Sequence, residues 1–157
     1  MSKDSQIKDV LVAGVISDTH GRLRPEVFKA FEGVDLIIHA GDIGSAEVLE
    51  DLQAIAPVRA VRGNMDGGWA YRLPATEVIE IGEVLLYVVH DSHQLDLDPA
   101  AAGFGAVING HTHQPSIGWQ DGVLFLNPGS AAPFGSRGTV ALLGILRKSL
   151  VPKLVKL

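Results

Sequence analysis

The sequence predicts an α/β fold: a four-layer α/β/β/α sandwich in which two mixed sheets pack together with helices outside. Three observations lead there. The first half alternates apolar runs with helix-sized segments bounded by proline and glycine; the second half is rich in hairpin signals; and no repeat, low-complexity tract or linker separates them. The span 1–157 therefore reads as one domain, with the polar stretch 1–9 a loose N-terminal segment.

Each element has a local reason. Val10–Ser17 is a nearly continuous apolar run, as a strand covered on both faces should be. Pro25 opens a short helix, where its missing N–H costs nothing, and Gly33 is placed to end it. Val34–His39 is a second buried strand. Ser45 stands where an N-cap is wanted for a helix over Ala46–Ile55, which Pro57 closes, and Pro57–Arg62 is a third strand. In the second half, Glu77–Ile81 and Val84–His90 flank Gly82-Glu83 as a hairpin. A short helix fits around Pro99–Ala102, before a strand at Ala106–Asn109. Ser116–Gln120 and Val123–Leu126 flank Asp121-Gly122, a favoured type I′ pair. Thr139–Leu146 and Val151–Val155 complete the strands, separated by Arg147-Lys148-Ser149.

Composition narrows the function. At 157 residues, 46% hydrophobic and 20% charged, the chain can bury one sizeable core. Its 13 basic and 18 acidic side chains leave a formal charge of −5, which argues against broad nucleic-acid binding or an anionic membrane surface. A small phosphate-bearing or nucleotide-like substrate stays open, because bound divalent ions would reverse the local sign. There is no cysteine, so disulfides, thiolate metal sites and cysteine nucleophiles are excluded. No apolar run approaches the roughly 20 residues of a membrane span, and the chain reads as soluble and cytoplasmic, with a homo-oligomer compatible.

The informative feature is where the polar residues fall. Asp18-Thr19-His20 follows the first strand, Gly41-Asp42 the second and Gly63-Asn64-Met65-Asp66 the third. His90 ends the second strand of the hairpin, and Gly110-His111-Thr112-His113 follows the next strand. Sites in open α/β sheets lie at the carboxyl ends of strands, so these clusters can converge. Asp-x-His and His-x-His put two ligands on one side of an extended segment. Glycines beside Asp42, Asn64 and His111 allow sharp turns and close backbone approach to ions. Carboxylate, amide and imidazole ligands without thiolate suit manganese, iron, cobalt, nickel or zinc better than magnesium. Other chemistries fit poorly: Gln114-Pro115 stands where a metallo-β-lactamase-type site needs Asp-His, and no phosphate loop, dinucleotide fingerprint or Gly-x-Ser-x-Gly elbow occurs.

Ser17-Asp18-Thr19-His20-Gly21, His39-Ala40-Gly41-Asp42, Arg62-Gly63-Asn64-Met65-Asp66, Gly110-His111-Thr112-His113 and Asn127-Pro128-Gly129-Ser130 run in an order that resembles the calcineurin-like metallophosphoesterases, specifically their small YfcE-like branch. The resemblance implies a two-metal phosphoesterase, diesters being favoured over monoesters, with manganese the foremost metal. It places Asp18, His20, Asp42 and His113 on one ion, with Asp42 bridging to a second held by Asn64, His90 and His111. The implied nucleophile is a hydroxide shared by the ions, attacking phosphorus in line, and Asp42, Asn64 and His111 carry the catalytic assignment. Two departures stand out. Met65 occupies the position where larger relatives carry a histidine that assists the leaving group, and Asp91 follows His90 where the family usually has glycine. Asp91 could orient His90, disturb the substrate or face away.

The remaining candidates have blander roles. Asp66 reads as a hydrogen-bond partner behind the ligands or a solvent-facing turn residue. His39 reads as structural, and His93 as a surface histidine ahead of a surrogate acid. Asn127-Pro128-Gly129-Ser130 reads as a structural turn near the site. Arg22, Arg62, Arg72 and Arg137 are the candidate phosphate contacts, most of them expected to be ordinary surface arginines. A competing function is a non-catalytic protein-interaction scaffold of the same fold, like the retromer's subunit, and a third is a nucleotide-binding regulator. The intact ligand set favours the enzyme.

Overall fold

The computed structural model describes residues 9–132 and 138–157; apart from Asp9, the expected loose N-terminal segment lies outside them, as does Arg137. The first sheet contains β1 (Leu11–Ile16), β2 (Leu36–His39), β3 (Val58–Ala60), β9 (Thr139–Leu146) and β10 (Ser149–Lys156), in the order β10-β9-β1-β2-β3. The second contains β4 (Thr76–Ile81), β5 (Val84–Val89), β6 (Ala106–Ile108), β7 (Ser116–Gln120) and β8 (Val123–Asn127), in the order β4-β5-β6-β8-β7. Both sheets are mixed. β1, β2 and β3 run parallel while β9 and β10 are antiparallel, and β5, β6 and β8 run parallel between antiparallel β4 and β7.

Alternation along the strands builds the layers. Ala13 and Val15 of β1 face the second sheet, where they join Ile38, Leu86, Val88, Ile108, Leu126 and Leu143 in the core between the sheets. Ile16 and Ile37 point the other way, against α1 (Glu26–Ala30) and α2 (Ala46–Gln53), whose Val27, Val48 and Leu52 cover that face together with Phe31. Gly14 lies beneath Phe31; a Cβ there would sit 2.8 Å from the ring, so the missing side chain is what lets the helix layer seat. Each fully buried leucine or isoleucine contributes roughly 2 kcal/mol. The strand ends therefore leave a rigid frame.

Where local chemistry decided the element, expectation and structure agree. Asp121 and Gly122 both adopt left-handed φ (53° and 79°), as a type I′ turn requires. Three places differ. Residues 98–103 form a hydrogen-bonded turn rather than the expected helix around Pro99–Ala102: the Asp98 side chain accepts from the Ala100 and Ala101 amides, and Ala102 N–H reaches Asp98 O at 3.0 Å. That segment still covers the outer face of the second sheet, with Leu95, Leu97 and Phe104 packed on Tyr87, Val89 and Val107. β10 begins at Ser149, earlier than expected, because Arg147 takes φ 56° and closes the hairpin in two residues. Ser45 occupies the N-cap of α2 in extended conformation, but its hydroxyl donates to Gly21 O (3.3 Å) instead of capping. Short 3₁₀ turns at Gly68–Arg72 and Ser92–Gln94 carried no strong sequence signal. Among the described residues, no helix is long and apolar enough to cross a membrane.

Candidate metal centre

The loops after the parallel strands converge where the two sheets meet. Asp18 is fully buried beyond β1, and Asp42 is buried beyond β2. The Asp18–Gly21 segment runs beside 41–43, with Asp18 N–H on Gly41 O (3.0 Å), His20 N–H on Asp42 O (3.1 Å) and Gly21 N–H on Ile43 O (2.7 Å). Asp18, His20, Asp42, His111 and His113 all take left-handed φ, between 52° and 72°, so Asp18-Thr19-His20 and His111-Thr112-His113 are tight loops and not the extended segments expected from their spacing. For residues other than glycine this conformation costs roughly 1–2 kcal/mol each, and such strain concentrates at functional sites.

Both carboxylates are held by one oxygen and present the other. Asp18 Oδ2 accepts from Ser17 Oγ–H (2.6 Å) and His111 N–H (3.1 Å), while Oδ1 faces the imidazole Nε2 atoms of His113 (3.3 Å), His20 (3.9 Å) and His90 (4.0 Å). Asp42 Oδ1 accepts from Met65 N–H (2.8 Å), while Oδ2 faces His90 Nε2 at 3.3 Å. His90 Nδ1 lies 2.7 Å from Ala40 O; a carbonyl only accepts, so Nδ1 carries the proton. On a neutral ring, Nε2 is then a lone pair pointing at a carboxylate. Two acceptors in that arrangement can share a cation, either a proton on Nε2 or a metal ion. Asp18 Oδ1 and His90 Nε2 are accordingly buried without a hydrogen-bond partner.

Asp42 and His90 also shift each other's ionisation. Burial opposes charge on both Asp42 and His90, but their mutual contact, the Met65 amide and the Ala40 carbonyl outweigh it. The Asp42 carboxyl is held below its ordinary range and the His90 imidazole above its own. Two sets of donor atoms lie close enough to share one ion each: Asp18–His20–His113 and Asp18–Asp42–His90. The imidazoles are paired to match, His20 with His113 (centroids 5.4 Å apart) and His90 with His111 (5.1 Å). Asp18, rather than Asp42, is the carboxylate common to both sets. Asn64 lines a cavity of about 250 Å³ with Arg62, His90, Asp91 and His111. A wider depression of about 1010 Å³, lined by Asp9, Gly82, Glu83 and Lys148, lies at the hairpin-turn end of the sheets and holds no ligand cluster among the described residues.

The supporting residues are now visible. Gly41, Gly63 and Gly110 make room for a ligand from another strand. A Cβ on each would lie 2.6 Å from His90 Nδ1, 2.2 Å from Asp42 Oδ1 and 2.8 Å from Asp18 Oδ2, respectively. Asp66 joins two ligand loops, accepting from Gly44 N–H (2.9 Å) and Gly63 N–H (2.8 Å). Buried Asn127 donates through Nδ2 to Gly110 O and Thr112 Oγ1 and so secures the His111–His113 loop. Ser130 Oγ donates to Asp18 O. Ser17 and the Asn127-Pro128-Gly129-Ser130 turn are visible in the sequence as parts of motifs, but nothing there names the bonds they make to the ligand loops.

His39 is structural, as expected. Gly41 N–H donates to its Nδ1, so Nε2 carries the proton toward Thr19 Oγ1, which passes its own to Ile43 O. Burial above all, with the His90 charge adding to it, lowers its pKa to about 3. His93 is 87% exposed, a surface residue that contacts Asp91. Burial opposes ionisation of Asp91, but the His93 backbone and ring and nearby His111 outweigh it and hold the carboxyl below its ordinary range. Among the candidate arginines, Arg62 borders the cavity and donates to Leu73 O, whereas Arg22 and Arg72 are exposed. Met65 projects into solvent.

Buried aspartates, paired imidazoles and left-handed ligand loops at the edge of a two-sheet sandwich define a candidate metal centre. The sequence profile of the calcineurin-like phosphoesterase superfamily domain matches residues 11–148, and the chain belongs to that superfamily. It is 38% identical over 132 residues to a probable metallophosphoesterase of Methanothermobacter thermautotrophicus, covering 76% of this chain and 77% of that one. It is 31% identical over 141 residues to a phosphodiesterase of Methanocaldococcus jannaschii, covering 77% and 84%. Among solved structures, Vps29 of Entamoeba histolytica complexed with zinc is 27% identical with a TM-score of 0.73, covering 94% of this chain and 98% of that one.

Proposed function

We propose that this chain hydrolyses phosphodiesters with two divalent ions, manganese foremost, in the cytoplasm. The observation that carries the reading is the pair of buried acceptors, Asp18 Oδ1 and His90 Nε2, left without hydrogen bonds among donors 3.3–4.0 Å away. In this reading Asp18, His20, Asp42 and His113 hold one ion, and Asp42, Asn64, His90 and His111 the other. When bound, such ions supply a water-derived nucleophile at neutral pH and offset charge on the phosphoryl oxygens. The protein's own part is orientation. The Ala40 carbonyl fixes the His90 tautomer, Met65 N–H and Ser17 Oγ–H turn the carboxylates, and Arg62 offers a cation at the cavity wall. The Met65 thioether donates no proton, so the departing oxygen relies on water and good leaving groups react fastest. The exposed His111 and His113 leave the site open, so substrate size is weakly restricted.

The test is hydrolysis of bis(p-nitrophenyl) phosphate and p-nitrophenyl phosphate by manganese-loaded protein, alongside Asp42→Asn. Expected are turnover of the diester in preference to the monoester, loss on chelation, and a fall of about 10²-fold or more in the variant. Metal binding with no turnover of either ester would instead favour the interaction scaffold, the reading that the likeness to Vps29 keeps as competitor. A nucleotide-binding regulator would bind nucleotides without hydrolysing them.

A further inference from the structure

Residues 62–74 leave the first sheet after β3 and lead to β4 of the second. The ends of this loop meet: Arg62 N–H donates to Pro74 O at 3.0 Å, and the Arg62 side chain donates to Leu73 O. Such closure defines an Ω-loop, a compact form frequent at functional sites. Both ends stand at the cavity that His90 and His111 border, with Arg62, Gly63 and Asn64 in its wall at the start and Ala75 and Thr76 just past the end. Within the loop, Asp66 accepts from the Gly44 and Gly63 amides, and fully buried Ala70 anchors the 3₁₀ turn at Gly68–Arg72. The large apolar side chains of the same loop nevertheless face water: Met65 is 69% exposed, Trp69 37% and Tyr71 82%. The Tyr71 ring lies back toward Gly68, where a Cβ would stand 3.9 Å from it. Exposed apolar groups gathered in one place mark a surface that something else covers.

What covers it follows from where the loop is rooted. A phosphodiester held at the cavity carries two organic arms, and a loop whose ends form the cavity wall stands in the path of one of them. Two aromatic rings suit a planar arm, because a nucleobase offers a π-face on which either ring can stack. We propose that Trp69 and Tyr71 form a stacking platform for the base of a nucleotide-bearing phosphodiester, and so set specificity for the arm that stays on phosphorus. The proposal rests on the phosphodiesterase reading above. The platform takes no part in the chemistry; it holds the base, while Arg62 at the cavity wall lies on the side of the phosphate.

The test compares two diesters with one leaving group, the p-nitrophenyl esters of thymidine 5′-phosphate and of methyl phosphate, on manganese-loaded protein. The native chain should favour the thymidine ester about fivefold or more in kcat/KM, through KM, the scale of stacking one base on an aromatic ring. In the double variant Trp69→Ala, Tyr71→Ala that advantage should vanish, while the methyl ester keeps its native rate and so reports an intact fold. Equal kcat/KM for the two esters in the native chain, or a preference that survives the double substitution, would overturn the platform. A loss on both esters alike would also overturn it, by placing the effect of the loop on the metal centre. Binding is read separately. The chain has two tryptophans, so a Trp119→Phe background leaves Trp69 as the fluorescent reporter, which thymidine 5′-monophosphate should quench and inorganic phosphate should not. Quenching by the nucleotide without turnover of either ester would keep the platform and overturn the hydrolase reading. No quenching, or equal quenching by phosphate, would overturn the platform itself.

Discussion

Enclosed by Thr19 and the Gly41 amide, the His39 ring has both nitrogens committed and no room for a second proton. Its pKa falls from 6.5 to about 3, chiefly through burial. The sign follows from proton counting. Above the unfolded value near 6.5 the ring is neutral in both states and pH has no effect through it. Below that value the unfolded chain binds a proton that the native state refuses, so stability falls by about 1.4 kcal/mol per pH unit until the native ring also titrates. Urea unfolding with chelator at about pH 7.5 and about pH 4.5 should therefore show a stability gap between native protein and His39→Gln that narrows by roughly 2–3 kcal/mol at the lower pH. An unchanged gap would mean that His39 is protonated in the folded chain. From sequence alone, His39 could be called structural because it sits inside a buried strand, but its two partners could not be named.

At the scale of elements, the strand-end glycines matter more for what they leave empty than for the turns they make. A Cβ at Gly110 would stand 2.0 Å from Ser17 Oγ and 2.8 Å from Asp18 Oδ2, against the side chains that aim Oδ1. Gly110→Ala should cost about 1–3 kcal/mol and weaken manganese binding. Gly118→Ala, on exposed β7 with nothing within 4 Å, should change stability by less than about 0.5 kcal/mol. Thermal melts and metal titration of both variants make the comparison; equal effects would remove the packing argument. Sequence placed glycine beside Asp42, Asn64 and His111 and read it as access for ions. That the space is taken by another strand's ligand depends on how the sheets abut.

On the scale of the whole molecule, the candidate ligands are divided between the sheets. Asp18, His20 and Asp42 follow β1 and β2 of the first sheet, while His90, His111 and His113 follow β5 and β6 of the second. An ion held by Asp18 with His113, or by Asp42 with His90, ties the layers together, and it does so only when they are folded. Manganese at about a hundred times its dissociation constant should then stabilise the protein by roughly 2.7 kcal/mol. For a chain of this size that is a rise in melting temperature of about 5–10 °C. Differential scanning calorimetry with manganese and with chelator measures it. A melting temperature indifferent to metal would place the ligands outside any folded metal centre.

The sequence by itself determined the local chemistry of this protein. Apolar runs became paired strands, Asp121-Gly122 a tight turn, and Asp-x-His and His-x-His the polar tips of buried strands, because each depends on residues a few positions apart. It could not show that Ser45 bonds Gly21 instead of capping α2, that Asn127 secures the His111 loop, or that Asp91 faces His111. Nor could it show that Asp18 Oδ1 faces an imidazole of each pair, His90 at 4.0 Å and His113 at 3.3 Å. These contacts join segments from different strands and, at the ligands, from different sheets. Only the packing of one sheet on the other sets distances of a few ångströms between residues that far apart in the chain.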